Sequence, residues 1–411
     1  MAREMKDSGI EWIGEIPRDW GISKVKYFYN CYDGKRVPVD SAERTPGPYP
    51  YWGAGSITDY VNDYLFDEEI ILLGEDGAPF FDYTRPVAFL INEKVWVNNH
   101  IHVLKPKGSV VSSFLVYWLN NVDYKSYING SILNKLTQSN MNSIAFVIPS
   151  LAEQQAIADF LDTQCAHIDS VIEKTCAAIE EYKRLKQSVI TQAVTKGIRP
   201  NREMKDSGIE WVKTIPIDWN TIPAKLLFRN SDIRKQEGDE QMTASQQYGI
   251  ITQKKYMEIT GSKVVFANKG LEDWKHVEPL DFIISLRSFQ GGLEMSETTG
   301  CITWHYIVLK PLKEIYSYYF KWLFKSNMYI KALQRTCNFI RDGQDLRYSN
   351  FIQVPLFEPD IEEQKEIADY LNEKTAAIDS LIQKKEQLVA ELEAYKKSLI
   401  YEYVTGKKEV V

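Results

Sequence analysis

Two long stretches of the chain place apolar residues at alternating intervals of four and three positions. The first stretch starts at Ile157 and the second at Ile367, and each keeps the pattern for more than four heptads. A heptad pattern of this length is typical of a coiled coil, because a helix enclosed in one globule is seldom so long. We therefore predict two rod-like helices packed against each other in antiparallel fashion, in preference to two buried core helices.

Both helices carry start and stop signals. Ser150 with Glu153, and Asp360 with Glu363, have the spacing of capping boxes, and a glycine follows the last apolar positions of each stretch. The predicted helices span 150–197 and 360–406.

The regions that precede the two helices have a different pattern. Short apolar runs alternate with turn residues, as in EEIILLGEDGAPFFDY of the first region and DFIISLRSFQGGLEMS of the second, which predicts many short strands. Each region also has one clear helical stretch and ends in an apolar run with a proline. The predicted fold class is therefore α/β (α+β), and the two regions are expected to share one fold.

Several segments of the sequence occur twice in the chain. MKDSGIEW occurs at 5–12 and again at 204–211, an offset of 199 residues, and Ile-Pro-x-Asp-Trp follows each copy. The beginnings of the two long helices also match each other, since 152–172 corresponds to 362–382 at an offset of 210. Repeats of this size predict a pseudo-two-fold molecule. The predicted domains are 1–149 and 198–359, each opening with a repeat motif (5–20 and 204–219), with spacer helices at 150–197 and 360–406.

Composition narrows the class of protein. The formal net charge of −7 lies on the repeated segments, because residues 22–150 and 222–360 carry net charges of only −2 and +2. The variable regions can therefore offer basic faces to nucleic acid. Five cysteines without a CxxC pair, no secretory signal and no long apolar run predict a cytoplasmic protein without a membrane span.

The repeat motifs resemble a known family. GIEW followed by IP and a tryptophan (residues 9–20 and 208–219), and EQ followed by IAD and a leucine (153–161 and 363–371), resemble the DNA-specificity subunit of Type I restriction–modification enzymes. The resemblance extends over the whole chain. It implies two target-recognition domains, each reading one half of a split, asymmetric site in double-stranded DNA, and helices that set the gap.

The resemblance also implies partners. Two methyltransferase subunits that hold S-adenosylmethionine, and two restriction subunits that use ATP and magnesium, would supply the chemistry in a bacterial or archaeal cytoplasm. The chain itself is expected to bind no cofactor and to be non-catalytic. The residues expected to pack the spacer helices and dock partners are Ile157, Leu161, Ile168, Tyr182, Leu185, Ile367, Leu371, Ile378, Leu392 and Tyr395.

Base reading needs arginine or lysine for guanine, asparagine or glutamine for adenine, and acids for cytosine. Candidates in the first region are Glu75, Asp76, Lys135, Thr137, Gln138 and Asn140, with Lys35 and Arg36 expected at phosphate. Candidates in the second region are Arg287, Ser288, Gln290, Arg341, Arg347 and Asn350. The two stretches that contain the second-region candidates, 287–290 and 341–350, can equally be solvated turns. Glu75 and Asp76 can simply form a turn of the chain.

Catalytic motifs are absent from the sequence. It contains neither the [DN]-P-P-[YFW] motif of amino-methyltransferases nor a phosphate-binding loop. His100 and His102 alternate as a metal pair would, but no further ligand cluster accompanies them, and no metal is expected. The repeated tryptophans are expected to be packing anchors between a domain and a helix end. The alternative function is a protein-binding coiled-coil scaffold without DNA sequence specificity.

Overall fold

A computed structural model describes residues 3–82, 84–128, 134–286, 288–336 and 346–410. The chain divides into two compact units, residues 1–176 with 385–411, and residues 177–384. Each unit thus combines one variable region with one half of each long helix. The predicted division at 149, 197 and 359 stays a prediction, because the compact units are divided within the long helices.

The first unit contains eleven strands and two short helices among its described residues, besides its portions of the long helices. Its strands are β1 (Met5–Asp7), β2 (Glu15–Pro17), β3 (Gly21–Lys24), β4 (Tyr29–Cys31), β5 (Pro46–Trp52), β6 (Ile57–Val61), β7 (Ile70–Gly74), β8 (Ala88–Ile91), β9 (Trp96–Val97), β10 (Ile101–Pro106) and β11 (Ala145–Ile148). Its short helices are α1 (Ser112–Asn121) and α2 (Gln138–Ser143), and the first long helix is α3 (Leu151–Lys196).

The centre of the first variable region is a four-stranded antiparallel sheet in the order β4-β10-β7-β8. Successive side chains of a strand point to opposite faces, so the unbroken apolar run of β7 implies that both faces are covered. Ile71 and Leu73 indeed join the core that α1 and α3 complete, whereas Ile70 and Leu72 pack in a separate cluster with Trp52.

The second unit contains the strands β12 (Met204–Ile209), β13 (Val212–Pro216), β14 (Asn220–Ile222), β15 (Phe228–Ser231), β16 (Met242–Ser245), β17 (Gly249–Thr252), β18 (Lys275–Val277), β19 (Phe282–Ile284), β20 (Glu294–Met295), β21 (Gly300–Ile302), β22 (Ile307–Pro311) and β23 (Leu356–Glu358). Its short helices are α4 (Ala224–Leu227), α5 (Gln253–Thr260), α6 (Ser288–Gly291), α7 (Ser317–Lys325), α8 (Asn327–Arg335) and α9 (Tyr348–Phe351), and the second long helix is α10 (Ile361–Val404).

The two variable regions share a topology, as predicted. The second central sheet has the order β15-β22-β19-β20, which repeats that of the first sheet, and β14–β23 repeats the β3–β11 pair. The regions differ in what they add: the first has the β6-β5-β9 sheet, and the second has the pairs β16–β17 and β18–β21. The common fold therefore carries different insertions.

The long helices pack antiparallel within each unit, which confirms that prediction. In the first unit Phe160 of α3 contacts Tyr403 of α10, with ring centroids 4.5 Å apart, and Asp169 pairs with Lys396 at 2.7 Å. In the second unit Lys186 pairs with Asp379 at 2.6 Å. Partner numbers fall as α3 residue numbers rise, as an antiparallel pair requires.

The predicted seam is correct at some positions and wrong at others. Ile157, Leu161, Ile168, Ile367, Leu371 and Ile378 are buried as expected. Leu185 and Tyr395, however, are 48% and 55% exposed, while Lys186 and Lys396, one residue further on, make the inter-helix ion pairs. At these two places the residue that contacts the other helix thus lies four residues, and not three, after the preceding predicted seam residue, which is Tyr182 or Leu392.

Each repeat motif is bound to the start of a long helix through a glutamate carboxylate. The indole nitrogen of Trp219 donates to Glu363 at 2.9 Å, and Arg202 forms a bidentate ion pair with the same carboxylate. Glu363 is completely buried. In the first unit Trp20 donates to Glu153 at 2.9 Å, and Arg3 pairs with it at 2.5 Å. These glutamates bind the repeat motif through their side chains, which the capping-box prediction did not foresee.

The next residue of each helix supports the same joint. Gln154 accepts from the backbone N–H of Val111 at 2.9 Å, and Gln364 accepts from that of Tyr316 at 2.8 Å. Both glutamines also donate to the proline carbonyl that precedes the helix. The EQ pair of the motif therefore links the helix start to the short helix of its own variable region.

The other long helix ends at the same joint. Gly406 has a φ of +71°, and an added Cβ would lie 2.4 Å from Pro17 and 2.9 Å from Trp20. Gly197 has the same φ and lies against Glu363 and Trp219. Trp20 and Trp219 are each 1% exposed, which confirms their predicted anchoring role. Among the described residues, no helix has the length and apolarity that a membrane span requires.

Replacing Glu363 by alanine is expected to lower the free energy of unfolding by about 3 kcal/mol, because Arg202 and the Trp219 indole would lose a buried partner. Urea unfolding followed by tryptophan fluorescence measures this. The control is Glu366→Ala, since Glu366 is 48% exposed and its pair with Arg199 should contribute less than about 1 kcal/mol. Equal losses for both variants would contradict the structural role assigned to Glu363.

Candidate nucleic-acid interface

Four of the predicted DNA contacts of the first region meet in one ion-pair cluster. Arg36 pairs with Glu75 at 2.6 Å, and Lys135 lies 3.3 Å from Glu75 and 3.6 Å from Asp76. The backbone brings the two stretches together, because Asp76 and Lys135 form an isolated β-bridge. Side chains far apart in sequence thus form a single surface, although its acids are already paired.

A buried histidine is linked to this ion-pair cluster through Asp33, which also pairs with Arg36. His102 is 1% exposed; its Nδ1 lies 2.6 Å from Asp33, and its Nε2 lies 2.8 Å from the Leu136 carbonyl oxygen. Burial opposes ionisation of Asp33, but the His102 hydrogen bond and the Arg36 charge hold the pKa of its carboxyl below the usual value. This network fixes the turn that carries Lys35 against the segment that carries Lys135.

The same network contains a group of possible metal ligands. Within the described ranges, ligand atoms of Asp33, Glu75 and His102 lie within 4.8 Å of one another. Arg36 pairs with both carboxylates, at 3.6 Å and 2.6 Å, so a guanidinium already supplies the compensating charge. His100, the other half of the predicted histidine pair, bonds to Asp76 instead.

The predicted adenine readers lie on or beside α2. Thr137 caps this helix by accepting from the Asn140 N–H, and the Asn140 amide donates to the Tyr127 carbonyl at 2.7 Å. Gln138 is exposed and donates to Cys31 Sγ at 3.0 Å, next to the turn that carries Lys35. The exposed candidates of this region are therefore Lys35, Lys135 and Gln138, near the end of the sheet at which β4 and β7 finish and β10 begins.

The second region places its candidates differently. Ser288 is 1% exposed and its hydroxyl accepts from the Ser285 N–H at 2.9 Å, so predicting it as a base contact was wrong: it is part of α6 and not of an open loop. Gln290 lies on the same short helix and is exposed. Arg287 and Arg341 lie outside the described residues.

Arg347 and Asn350 form the start of α9. The Asn350 side chain accepts from the Arg347 N–H at 3.0 Å and donates to the Thr336 carbonyl at 2.7 Å. Asn350 lies 210 residues after Asn140, the offset of the helix repeat, and ties its preceding segment in the same way. The two asparagines thus have an equivalent structural role, while a DNA contact by either stays a prediction.

Sequence reasoning missed a polar cleft beside the β16–β17 hairpin. The cleft has a volume of about 420 Å³, and Thr243, Ser245, Gln247 and Tyr256 contribute to its lining. Glu294 closes one side, and burial raises the pKa of its carboxyl. Two short strands joined through Gln246–Tyr248 present hydroxyl and amide groups of the kind that pair with base edges. The sequence contained a signal for this hairpin, because two glutamines, a tyrosine and a glycine separate the alternating run MTAS from the β-branched run IIT.

The predicted docking residues separate into two groups. Ile157, Leu161, Ile168, Ile367, Leu371 and Ile378 are buried within their own units, and Tyr182 and Leu392 are partly buried. Leu185 and Tyr395 are exposed, and they occupy equivalent positions, 210 residues apart. Only the second group offers side chains to a partner.

The family model for the "Type I restriction modification DNA specificity domain" matches residues 17–181. The chain is a relative of the type I specificity subunits. The resemblance drawn from the repeat motifs is thereby confirmed.

Three relatives show the extent of the match. A provisionally named type I restriction enzyme specificity subunit of Haemophilus influenzae is 34% identical over 137 residues, which are 33% of this chain and 35% of that protein. The provisionally named MjaX specificity subunit of Methanocaldococcus jannaschii is 24% identical, with 97% of this chain and 96% of the relative covered. The EcoDI specificity subunit of Escherichia coli is 24% identical, with coverages of 44% and 39%. The chain spans about a third of the length of the Haemophilus relative.

A solved structure supports the fold. A chain described under "Structural basis underlying complex assembly and conformational transition of the type I R-M system" superposes with a TM-score of 0.67 at 12% identity, over 96% of this chain and 99% of that one. At this identity the likeness concerns the fold. It agrees with the predicted combination of mixed α/β regions and long helices.

Replacing Lys35 by alanine is expected to weaken DNA binding about threefold and to lower the salt dependence of binding by one phosphate contact, because Lys35 is exposed beside the cluster. Fluorescence anisotropy at several salt concentrations measures both quantities. Lys125→Ala is the control, since Lys125 is 75% exposed on a different turn. If the Lys35 variant behaves like the control, the surface around Lys35 is not part of the DNA interface.

Proposed function

We propose that the chain is the DNA-recognition subunit of a type I restriction–modification enzyme, in which each variable region reads one half of a split, asymmetric site. The observation that carries this proposal is the shared topology of the two regions, in which the exposed polar side chains differ. Two modules with one fold and different surfaces suit two unlike half-sites. We further propose that the length of α3 and α10 sets the gap between the half-sites.

The proposed partners follow from the same relationship. Two methyltransferase subunits would bring S-adenosylmethionine, and two restriction subunits would bring ATP and magnesium, while this chain recognises sequence and catalyses nothing. The duplicated, exposed pair Leu185 and Tyr395 supports two equivalent docking positions. The cysteines Cys31, Cys165, Cys176 and Cys301 are unpaired, which suits the reducing cytoplasm of a bacterial or archaeal host.

The test of the function is the methylated sequence. Deleting the gene from its host is expected to abolish one two-part adenine-methylation motif in single-molecule sequencing of the genome. Exchanging residues 22–149 for the equivalent region of a relative should change one half of that motif and leave the other half intact. A scaffold without sequence specificity would leave the motif unchanged in both experiments, and that result would overturn the proposal.

The docking positions are tested by the double variant Leu185→Asp with Tyr395→Asp. It is expected to weaken binding of the methyltransferase subunit at least tenfold in isothermal titration calorimetry, because two exposed apolar contacts become charged. Leu226→Asp, at a position 56% exposed on α4, introduces a charge away from the long helices and should bind normally. Unchanged binding of the double variant would rule out these two positions as contacts.

A further inference from the structure

The second unit contains a groove of about 1040 Å³, here called the second-unit groove. It lies between the last turns of α3, the repeat motif at 210–214 and the first residues of α8. Its walls are partly apolar, through Trp211, Val212 and Met328. All its lining residues except Asn327 and Met328 lie on α3 or in the repeat motif. The groove therefore belongs mostly to the repeated segments and not to the variable region.

The equivalent place in the first unit holds a much smaller groove of about 330 Å³. Its helix residues Ala394, Lys397, Ser398 and Tyr401 lie 210 positions after lining residues of the second-unit groove. The difference has a visible cause at Thr191, whose counterpart is Tyr401. The Tyr401 hydroxyl donates to the Trp12 carbonyl at 3.1 Å, so the larger side chain occupies the space that threonine leaves open.

The two grooves also differ in charge. The second-unit groove is lined by four basic and two acidic side chains, whereas the counterpart positions in the first repeat hold one basic and four acidic residues. Glu180 pairs with Lys183 and Glu210 pairs with Arg335. Arg184, Lys196 and Lys213, in contrast, form no salt bridge within the part of the chain that the structure describes, and their counterparts are Ala394, Gly406 and Gly14.

Two buried polar atoms of the lining also need partners. The indole N–H of Trp211 and the amide oxygen of Gln187 are buried, and neither has a hydrogen-bond partner among the described residues. An unpaired buried donor or acceptor is costly, so a ligand gains binding energy if the Trp211 or Gln187 side chain turns toward it in the groove. One needs an acceptor and the other a donor, and a peptide unit supplies both.

We propose that the second-unit groove binds an acidic peptide segment of the methyltransferase subunit, and that the equivalent groove of the first unit does not. The partner's identity rests on the function proposed above. Charge complementarity with the net positive lining, in which three of the cations form no salt bridge among the described residues, favours an acidic segment. A nucleic-acid phosphate fits less well, because it offers acceptors only and leaves the Gln187 oxygen unpaired. The two repeats would then dock the same kind of partner through shared residues, with one additional contact at the second.

Two variants of the full-length chain test the affinity. Thr191→Tyr reproduces the side chain of the first repeat and fills the groove, and the pair Arg184→Glu with Lys213→Glu reverses its charge. Each is expected to weaken methyltransferase binding about tenfold in calorimetry, the charge reversal more strongly at low salt. The matched controls are Tyr401→Thr in the first repeat and Lys384→Glu on the exposed side of α10, and both should bind normally. Thermal melts verify that the variants fold.

A photo-reactive amino acid identifies the occupant. Placed at Gln192 it should cross-link to an acidic peptide of the methyltransferase subunit, and placed at the counterpart Glu402 it should not. Unchanged affinity in both groove variants, or equal cross-linking from both positions, overturns the inference. So does a loss of DNA affinity without a loss of methyltransferase binding, which would assign the groove to nucleic acid. Failure of the proposed function is recognised separately, because the unaltered complex would then show no sequence preference for DNA.

Discussion

The molecule depends on one glutamate carboxylate that occurs twice, completely buried in the second unit and partly buried in the first. Glu363 is completely buried and holds both Arg202 and Trp219, and Glu153 holds Arg3 and Trp20 in the same way. Removing one partner of a buried ion pair costs about 3–5 kcal/mol, because the remaining charge is left uncompensated. The tryptophan comes from the repeat motif, the arginine lies two residues before that motif, and the glutamate belongs to the helix start. One interaction therefore unites the motif, the variable region and the long helix.

The recurrence of the tryptophan at the end of the repeat motif, and of the arginine before it, follows from this joint. The motif, with the arginine that precedes it, must offer a tryptophan and an arginine to the start of one helix and accommodate the end of the other. Gly406 lies against Trp20, and Gly197 lies against Trp219. None of these contacts uses the insertions by which the two variable regions differ. The repeat therefore preserves the joint, while the β5–β6 and β16–β17 strands are free to carry different recognition surfaces.

The sequence predicted the architecture better than the site. Heptads, caps and the repeat identified the helices, because these signals are local and periodic. The exact seam was wrong at Leu185 and Tyr395, since intervals of three and four residues are equally compatible with a helix and only packing selects between them. The candidate interface was harder, because pairing of Glu75 with Arg36 and burial of Ser288 arise from residues distant in sequence. Residue type alone could not reveal these contacts.

The division of the long helices between the units also bears on the order of folding during synthesis. Domains usually fold as they emerge, the N-terminal one first. Here the first unit includes residues 385–411, and Leu399 and Val404 belong to its core. Residues 177–384 are continuous, so the second unit is formed by one stretch of chain, whereas the first unit needs stretches from both sides of it. The part of the protein made first is thus the part completed last.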